Sequence, residues 1–262
     1  GDHRDLHSFP TRRPSDLEGT VPIEPLKTPE QGYHLTEDLA DHAINWVRQQ
    51  KALMPDKPFF MYFVPGATHA PHHVPPEWSD KYKGKFDEGW DKLREEIFAR
   101  QKQLGVVPAS AELTARPVEI PPWDEMPEAL KPVLARQMEV YAGFMEHTDY
   151  HIGRLLDALQ DLGVLDDTLV YYIVGDNGAS AEGTPNGTFN EMFVLNGAAA
   201  MESVDFMASK VSEFGSPTSY NHYAVGWAHA LDTPYQWTKQ VASHWGGTRN
   251  GAIVHWPRGI KA

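Results

Sequence analysis

Three short stretches of this chain carry the side chains that could do chemistry. The first is Gly175-Asp176-Asn177-Gly178, directly after the apolar run 168–174. A carboxylate beside an amide carbonyl at the end of a strand suits a hard cation such as Ca²⁺ better than zinc, which favours His and Cys. The same four residues are also good turn chemistry. The second is Ala67-Thr68-His69-Ala70-Pro71-His72-His73-Val74-Pro75, after the run 59–64. Its imidazoles could bond an anionic oxygen or pass a proton to a leaving group near neutral pH. A plain surface loop and a zinc site are the alternatives. The third runs from Lys239 to Arg249, with Lys239, His244 and Arg249 around Gly246-Gly247. It offers cations beside a backbone that something can approach closely, or else it is a solvated basic loop. Hard-metal ligands plus cations together are what a sulfate or phosphate ester requires.

These stretches need elements to position them. Thr36 reads as a helix N-cap with Glu37 and Asp38 in the first turn, and helical spacing predicts an amphipathic helix over 37–51. Phe59 to Val64 and Thr168 to Val174 are continuous apolar runs of strand length, the pattern of strands buried on both faces. Residues 252–256 make a third strand candidate. Helices are predicted over 88–103, 128–162 (stopped by Gly163) and about 202–213. The stretches 105–127, 178–200 and 215–250 show no clear period. Alternating strands and helices predict an α/β fold with a mostly parallel sheet flanked by helices. Ligands then collect outside the carboxyl ends of the strands, where the first two stretches fall.

Composition sets outer limits. A formal net charge of −13 argues against nucleic acid as a partner. The chain has no cysteine, which removes disulfides, thiolate catalysis and cysteine-based zinc sites. No apolar run reaches the length of a membrane span. Residues 5–17 lack any period and resemble translated adapter sequence, so residues 1–20 are expected to be a non-native or disordered leader.

The ordered set Pro71-His72, Gly175-Asp176-Asn177-Gly178 and Lys239 followed by His244-Trp245-Gly246-Gly247-Thr248-Arg249 resembles the type I sulfatases, bacterial arylsulfatases in particular. Thr36-Glu37-Asp38-Leu39, Lys57-Pro58-Phe59-Phe60, Gly153-Arg154-Leu155-Leu156 and Trp256-Pro257 agree with it. The resemblance implies an alkaline-phosphatase-like fold, incomplete here, with residues 21–262 as the central part of a catalytic domain. It implies that the parent hydrolyses small-molecule sulfate esters with a formylglycine nucleophile and one Ca²⁺. By resemblance His72 contacts the ester near the leaving-group oxygen, Lys239 binds a sulfate oxygen, and Asp176 and Asn177 ligate calcium. Export to the periplasm or the medium follows only by family analogy. His69, His73, His244 and Arg249 gain no counterpart, and His222 reads as packing.

The sequence departs from the family pattern in places. Ser8-Phe9-Pro10-Thr11-Arg12 fits the letters of the formylglycine motif but lies in the apparent adapter stretch, close to His72. The family's first Asp-Asp calcium pair and its middle Lys-x-His motif have no match. The chain is therefore expected to be an inactive fragment. A phosphodiesterase or phosphonate hydrolase of the same superfamily is the second expectation. Asn177 counts against it, since two-metal phosphate sites of that kind carry His after the Asp. A non-catalytic metal- or ligand-binding module is the third.

Overall fold

The computed structural model describes residues 17–175 and 177–261. It begins with a small antiparallel hairpin, β1 (Leu17–Glu18) against β2 (Val21–Pro22). The first long element is α1 (Leu35–Leu53), which buries Ala40, Ile44 and Val47 along one face. Its cap is His34, whose Nδ1 accepts from Thr36 N at 3.2 Å, so Thr36 sits inside the first turn. An imidazole with a free lone pair serves the same unbonded amide that a hydroxyl would.

A short turn of helix, α2 (Pro76–Ser79), leads to α3 (Gly89–Gln103). The spine is α4 (Lys131–Asp161), followed by Gly163 at φ +68°, a left-handed stop that a Cβ would penalise. Then come β3 (Val170–Ile173), α5 (Glu191–Leu195), α6 (Val204–Ser209), α7 (Val225–Leu231) and β4 (Ala252–His255). The helical segment predicted at 202–213 resolves into α6 and a 3₁₀ turn, Val211–Glu213. The helix α7 lies where no period was legible.

The main core gathers Leu130, Leu134, Met138 and Phe144 of the α4 region with an aromatic group of Trp90, Trp123 and Trp227. A buried cation ties α3 to the segment after α7. Arg94 donates to the carbonyls of His229 (3.0 Å) and Tyr235 (3.2 Å) and to the hydroxyls of Thr233 and Thr114. A smaller cluster, Ile44, Leu155 and Ala158, joins α1 to the end of α4 and receives Met61 and Phe63.

The sheet differs from expectation. Among the described residues, the two ladders are both two-stranded and antiparallel, and β3 pairs with β4 from Val170↔His255 to Ile173↔Ala252. A mostly parallel sheet is not what these residues form. Residues 59–64 run without ladder partners and bury only alternate side chains: Met61 and Phe63 pack inward, while Phe60 and Tyr62 stand out at 86% and 81% exposure. Tyr171, Ile173 and Ile253 are exposed too. The reason is physical. An apolar run records that both faces can be covered, but not which neighbour covers them or in which direction a partner strand runs.

Candidate functional site

Two of the three stretches meet through their backbones. Lys239 N donates to Ala179 O at 2.9 Å, and Gly178 N donates to Asn250 Oδ1 at 3.0 Å. A Cβ on Gly178, which has φ +77°, would lie 1.9 Å from Gly246 O, so only glycine lets the loop after β3 settle on Gly246-Gly247. The second stretch arrives through one side chain. Lys239 Nζ lies 3.5 Å from His69 Nε2 and 3.3 Å from Glu182 Oε2. His69 Nδ1 is 2.8 Å from its neighbour's carbonyl, Ala70 O, which fixes Nδ1 as the protonated nitrogen and leaves the Nε2 lone pair toward Lys239.

Glu182 anchors this corner. Ser180 Oγ donates to its Oε2 at 2.8 Å and Gln240 Nε2 to its Oε1 at 2.9 Å. Burial pushes the Glu182 carboxyl up, but the bonds from Ser180 and Lys239 outweigh that and leave it below its ordinary value. Behind it, Glu191 is buried and its carboxyl is raised, first by burial and then by the charge of Glu182. His222 closes the group. Its Nδ1 bonds Tyr223 O at 2.9 Å, and burial pushes the ring down to about 4, so it is neutral at pH 7. Glu182, Glu191 and His222 bring one ligating atom each to within 4.8 Å of one another. His69 stands between this corner and a cavity of about 1040 Å³, lined also by Pro71, His73, Arg136 and Phe214.

The four residues that the resemblance singles out fare differently. Lys239 is the hub just described. Asn177 is exposed on the loop after β3, and Asp176 lies outside the described residues, as does the Ser8 stretch. His72 does not open onto solvent: it is 1% exposed, stacked on Tyr223 at 5.2 Å and edge-on to Tyr141 at 5.0 Å. Burial, with His222 nearby, holds its ring well below the ordinary imidazole range. The histidine that meets Lys239 is instead His69. The sequence places both in one stiff loop and contains no signal that separates them.

The remaining candidates make local contacts. His73 Nε2 donates to Ser219 O at 2.7 Å. Arg249 lies over the Trp245 ring at 4.8 Å, and His244 bonds Ser243. His222, read from the sequence as packing, does pack on Tyr223 but also borders Glu182. Glu182 itself was not legible, because one acidic residue in a Gly- and Ser-rich loop is unremarkable until its partner is known.

Among the described residues, the loop after β3 offers a calcium ion the amide oxygen of Asn177. One of the two groups of three ligating side chains among the described residues, Glu182 with Glu191 and His222, starts from this same loop, and the other lies between α1 and α4. A Ca²⁺ shell wants about six to eight oxygens.

Asp232 supports the same loop from below. Its Oδ1 accepts from Ala179 N at 2.9 Å, while its Oδ2 is buried without a partner. Burial raises this carboxyl to about 7, against smaller lowering effects of the Ala179 bond and Arg94. A carboxyl raised in the folded state contributes stability that is full below its unfolded value and is lost as pH rises through about 7. The isosteric Asp232→Asn stays neutral throughout. Its stability relative to the wild type should therefore climb between pH 4 and pH 8, by at most about 4 kcal/mol at about 1.4 kcal/mol per unit. Urea unfolding at a series of pH values checks this. A difference that is flat or falls with pH contradicts a neutral, buried Asp232.

Known proteins resemble this chain over most of its length. The sulfatase family model matches residues 6–262, starting inside the stretch set aside as a leader. An uncharacterized sulfatase of Schizosaccharomyces pombe is 32% identical over 242 residues, covering 90% of this chain and 40% of the relative. An arylsulfatase of Klebsiella aerogenes is 26% identical over 226 residues, covering 86% of this chain and 45% of the relative. The chain thus spans less than half the length of these relatives. With almost its whole length matched, the chain belongs to the sulfatase family.

Proposed function

We propose that this chain carries the ester-holding loops of a sulfuric ester hydrolase, with Lys239 and His69 as the groups that meet the sulfate. The single observation that carries this is the convergence of Lys239 Nζ, His69 Nε2 and Glu182 at one corner where three separate loops meet. An ammonium is a strong partner for a sulfate oxygen. In the free protein Glu182 occupies that ammonium, and an arriving sulfate takes its place. His69 Nε2, whose lone pair faces Lys239, can take a proton from the attacking hydroxyl and pass it to the leaving oxygen. The cavity beside His69 gives room for the organic part of the ester. His72 lies behind this corner within the packing of Tyr141 and Tyr223, and we place it as a support for the loop.

The nucleophile is the family's formylglycine, which needs a Cys or Ser in its motif. This chain has no cysteine, and Ser8 belongs to the residues set aside above. Asp176 and Asn177 are the calcium ligands this reading retains. With one carboxylate and one amide they should hold Ca²⁺ no tighter than the millimolar range, roughly the weak end of calcium sites. The experiment is direct. The purified chain, mixed with 4-nitrophenyl sulfate, should bind it saturably and release no nitrophenol, with or without Ca²⁺. Calorimetry should find only millimolar Ca²⁺ binding. Sustained turnover overturns the assignment of the nucleophile. Micromolar Ca²⁺ binding that vanishes in Asp176→Ala shows carboxylates beyond those counted here.

The phosphate-ester alternative has less support. Two-metal phosphate sites need a dense set of ligands, and Glu182 is already engaged by Lys239, Ser180 and Gln240.

A further inference from the structure

A second polar cluster lies apart from these loops, where α1 crosses α4. We propose that Glu37, His147 and His151 form a site for one divalent transition-metal ion of the zinc type, linking the first turn of α1 to the middle of α4. His147 and His151 are four residues apart on one helical face, the spacing that lets two imidazoles share an ion. Both are buried, and Glu37 reaches them from the facing helix. His147 Nε2 lies 3.1 Å and His151 Nε2 3.9 Å from Glu37 Oε1, and one ligating atom from each residue falls within a 4.8 Å group. A tetrahedral ion with ligands at about 2.0–2.1 Å needs donor atoms about 3.3 Å apart. The cluster is therefore within a small side-chain adjustment of that geometry. Two imidazoles and one carboxylate are also a donor set that zinc accepts, with a fourth position left for water.

The surroundings favour a fixed site. Trp78 stands edge-on to the His147 ring at 5.3 Å, and Tyr150 edge-on to His151 at 5.1 Å. His34 lies tilted against His147 at 4.3 Å but is spent on other bonds, to Thr36 N and His73 O, so it shapes the pocket without joining the ligand set. His147 Nδ1 is buried with no partner. An ion bound through Nε2 puts the ring proton on Nδ1 and gives that nitrogen no partner, so the site rests on the placement of the three donors and not on this atom. The other His/Glu group, at Glu182, is a weaker candidate, because Lys239 already places its cation against that carboxylate.

One contact opposes the ion. Arg154 Nη1 donates to His151 Nδ1 at 2.8 Å, which puts the ring proton on Nε2, toward Glu37. Binding through Nε2 moves that proton to Nδ1 and makes Arg154 turn away. Arg154 is held on its other side by Asp41 at 2.5 Å and is partly exposed, so it has somewhere to go. Its removal should therefore strengthen binding, an effect opposite to that of losing a ligand.

The test uses the untagged full chain titrated with Zn²⁺ against a chelating dye. We expect one Zn²⁺ per chain, with a dissociation constant on the order of micromolar or below. Glu37→Gln keeps the size and the bond to His147 but removes the charge, and should weaken binding at least about ten-fold, the loss that even outer partners of a metal cause. Arg154→Gln should tighten it, and Glu182→Gln should leave it unchanged. Zn²⁺ should raise the melting temperature of the wild type and not of Glu37→Gln. Three results overturn the site: no stoichiometric Zn²⁺ on the wild-type chain, full affinity in Glu37→Gln, or loss of binding in Glu182→Gln. Where Glu37→Gln fails to fold, tighter binding in Arg154→Gln and unchanged binding in Glu182→Gln still place the ion between α1 and α4, and the opposite results overturn it.

Discussion

Replacing Trp227 by alanine should remove about 3–5 kcal/mol of stability, the range for emptying a buried aromatic site. Trp227 is fully buried at the centre of the main core. Its ring meets Trp90 at 5.5 Å, Trp123 at 5.6 Å and Phe86 at 5.7 Å, mostly edge to face. Its Nε1 donates to Leu134 O at 2.9 Å, pinning α7 to α4. Two of its neighbours are tied down by other contacts: Trp90 Nε1 donates to Pro121 O, and the backbone N of Trp123 donates to the Asp91 carboxylate. The site therefore cannot collapse to fill the space. Since single domains are stable by only about 5–15 kcal/mol, much of the total should go. Circular dichroism across a urea series measures it. A midpoint equal to that of the wild type contradicts the placement of Trp227 as the keystone of this core.

The second large effect is on the ester. Lys239→Ala should weaken the binding of an aryl sulfate about ten- to a hundred-fold, the worth of one hydrogen bond to a charged group at about 1.5–3 kcal/mol. Stability should change little by comparison. The Lys239–Glu182 pair is partly exposed, and pairs of that kind contribute about 0–1 kcal/mol. That separation of binding from folding distinguishes a ligand-holding lysine from a structural one. Equal losses in both would point to Lys239 as part of the scaffold.

Much of the scaffold was legible because its helices are long. Three turns or more of periodic apolar residues define α1 and α4, Gly163 marks the end of α4, and α3 reads as a surface helix of mixed charge although it buries Trp90, Arg94 and Phe98. Short elements were not legible. The seven residues of α7 hold one glycine and no repeat long enough to establish a period. The cap of α1 was misplaced because Thr is the commoner capping residue, whereas here the His34 ring accepts from Thr36 N. Sheet direction was beyond reach for a different reason. Strand pairing is a long-range property, and β3 finds its partner in β4 near the far end of the chain.

The site was legible as a set of loops and not as a set of atoms. Lys239, the glycine pair 246–247 and the loop after β3 are brought into contact, as their spacing suggests. The choice among three histidines in one loop depends on which way each ring turns, and that is set by tertiary partners. Tyr141 and Tyr223 enclose His72, Ser219 O takes His73, and only His69 is left toward Lys239. Glu182 could not be recognised at all without knowing that Lys239 reaches it.

The measurement that goes straight to the central claim is a titration of the chain with 4-nitrophenyl sulfate, followed by the imidazole ring signals in a ¹H–¹⁵N correlation spectrum. Lys239 and His69 sit together at the loop junction, and His72 lies within the aromatic packing behind it. The His69 signals should move saturably with the ester, those of His72 should hold nearly still, and the His69 response should fade in Lys239→Ala. If His72 responds while His69 stays fixed, or if neither moves at concentrations where the ester is bound, the ester is not held by Lys239 and His69.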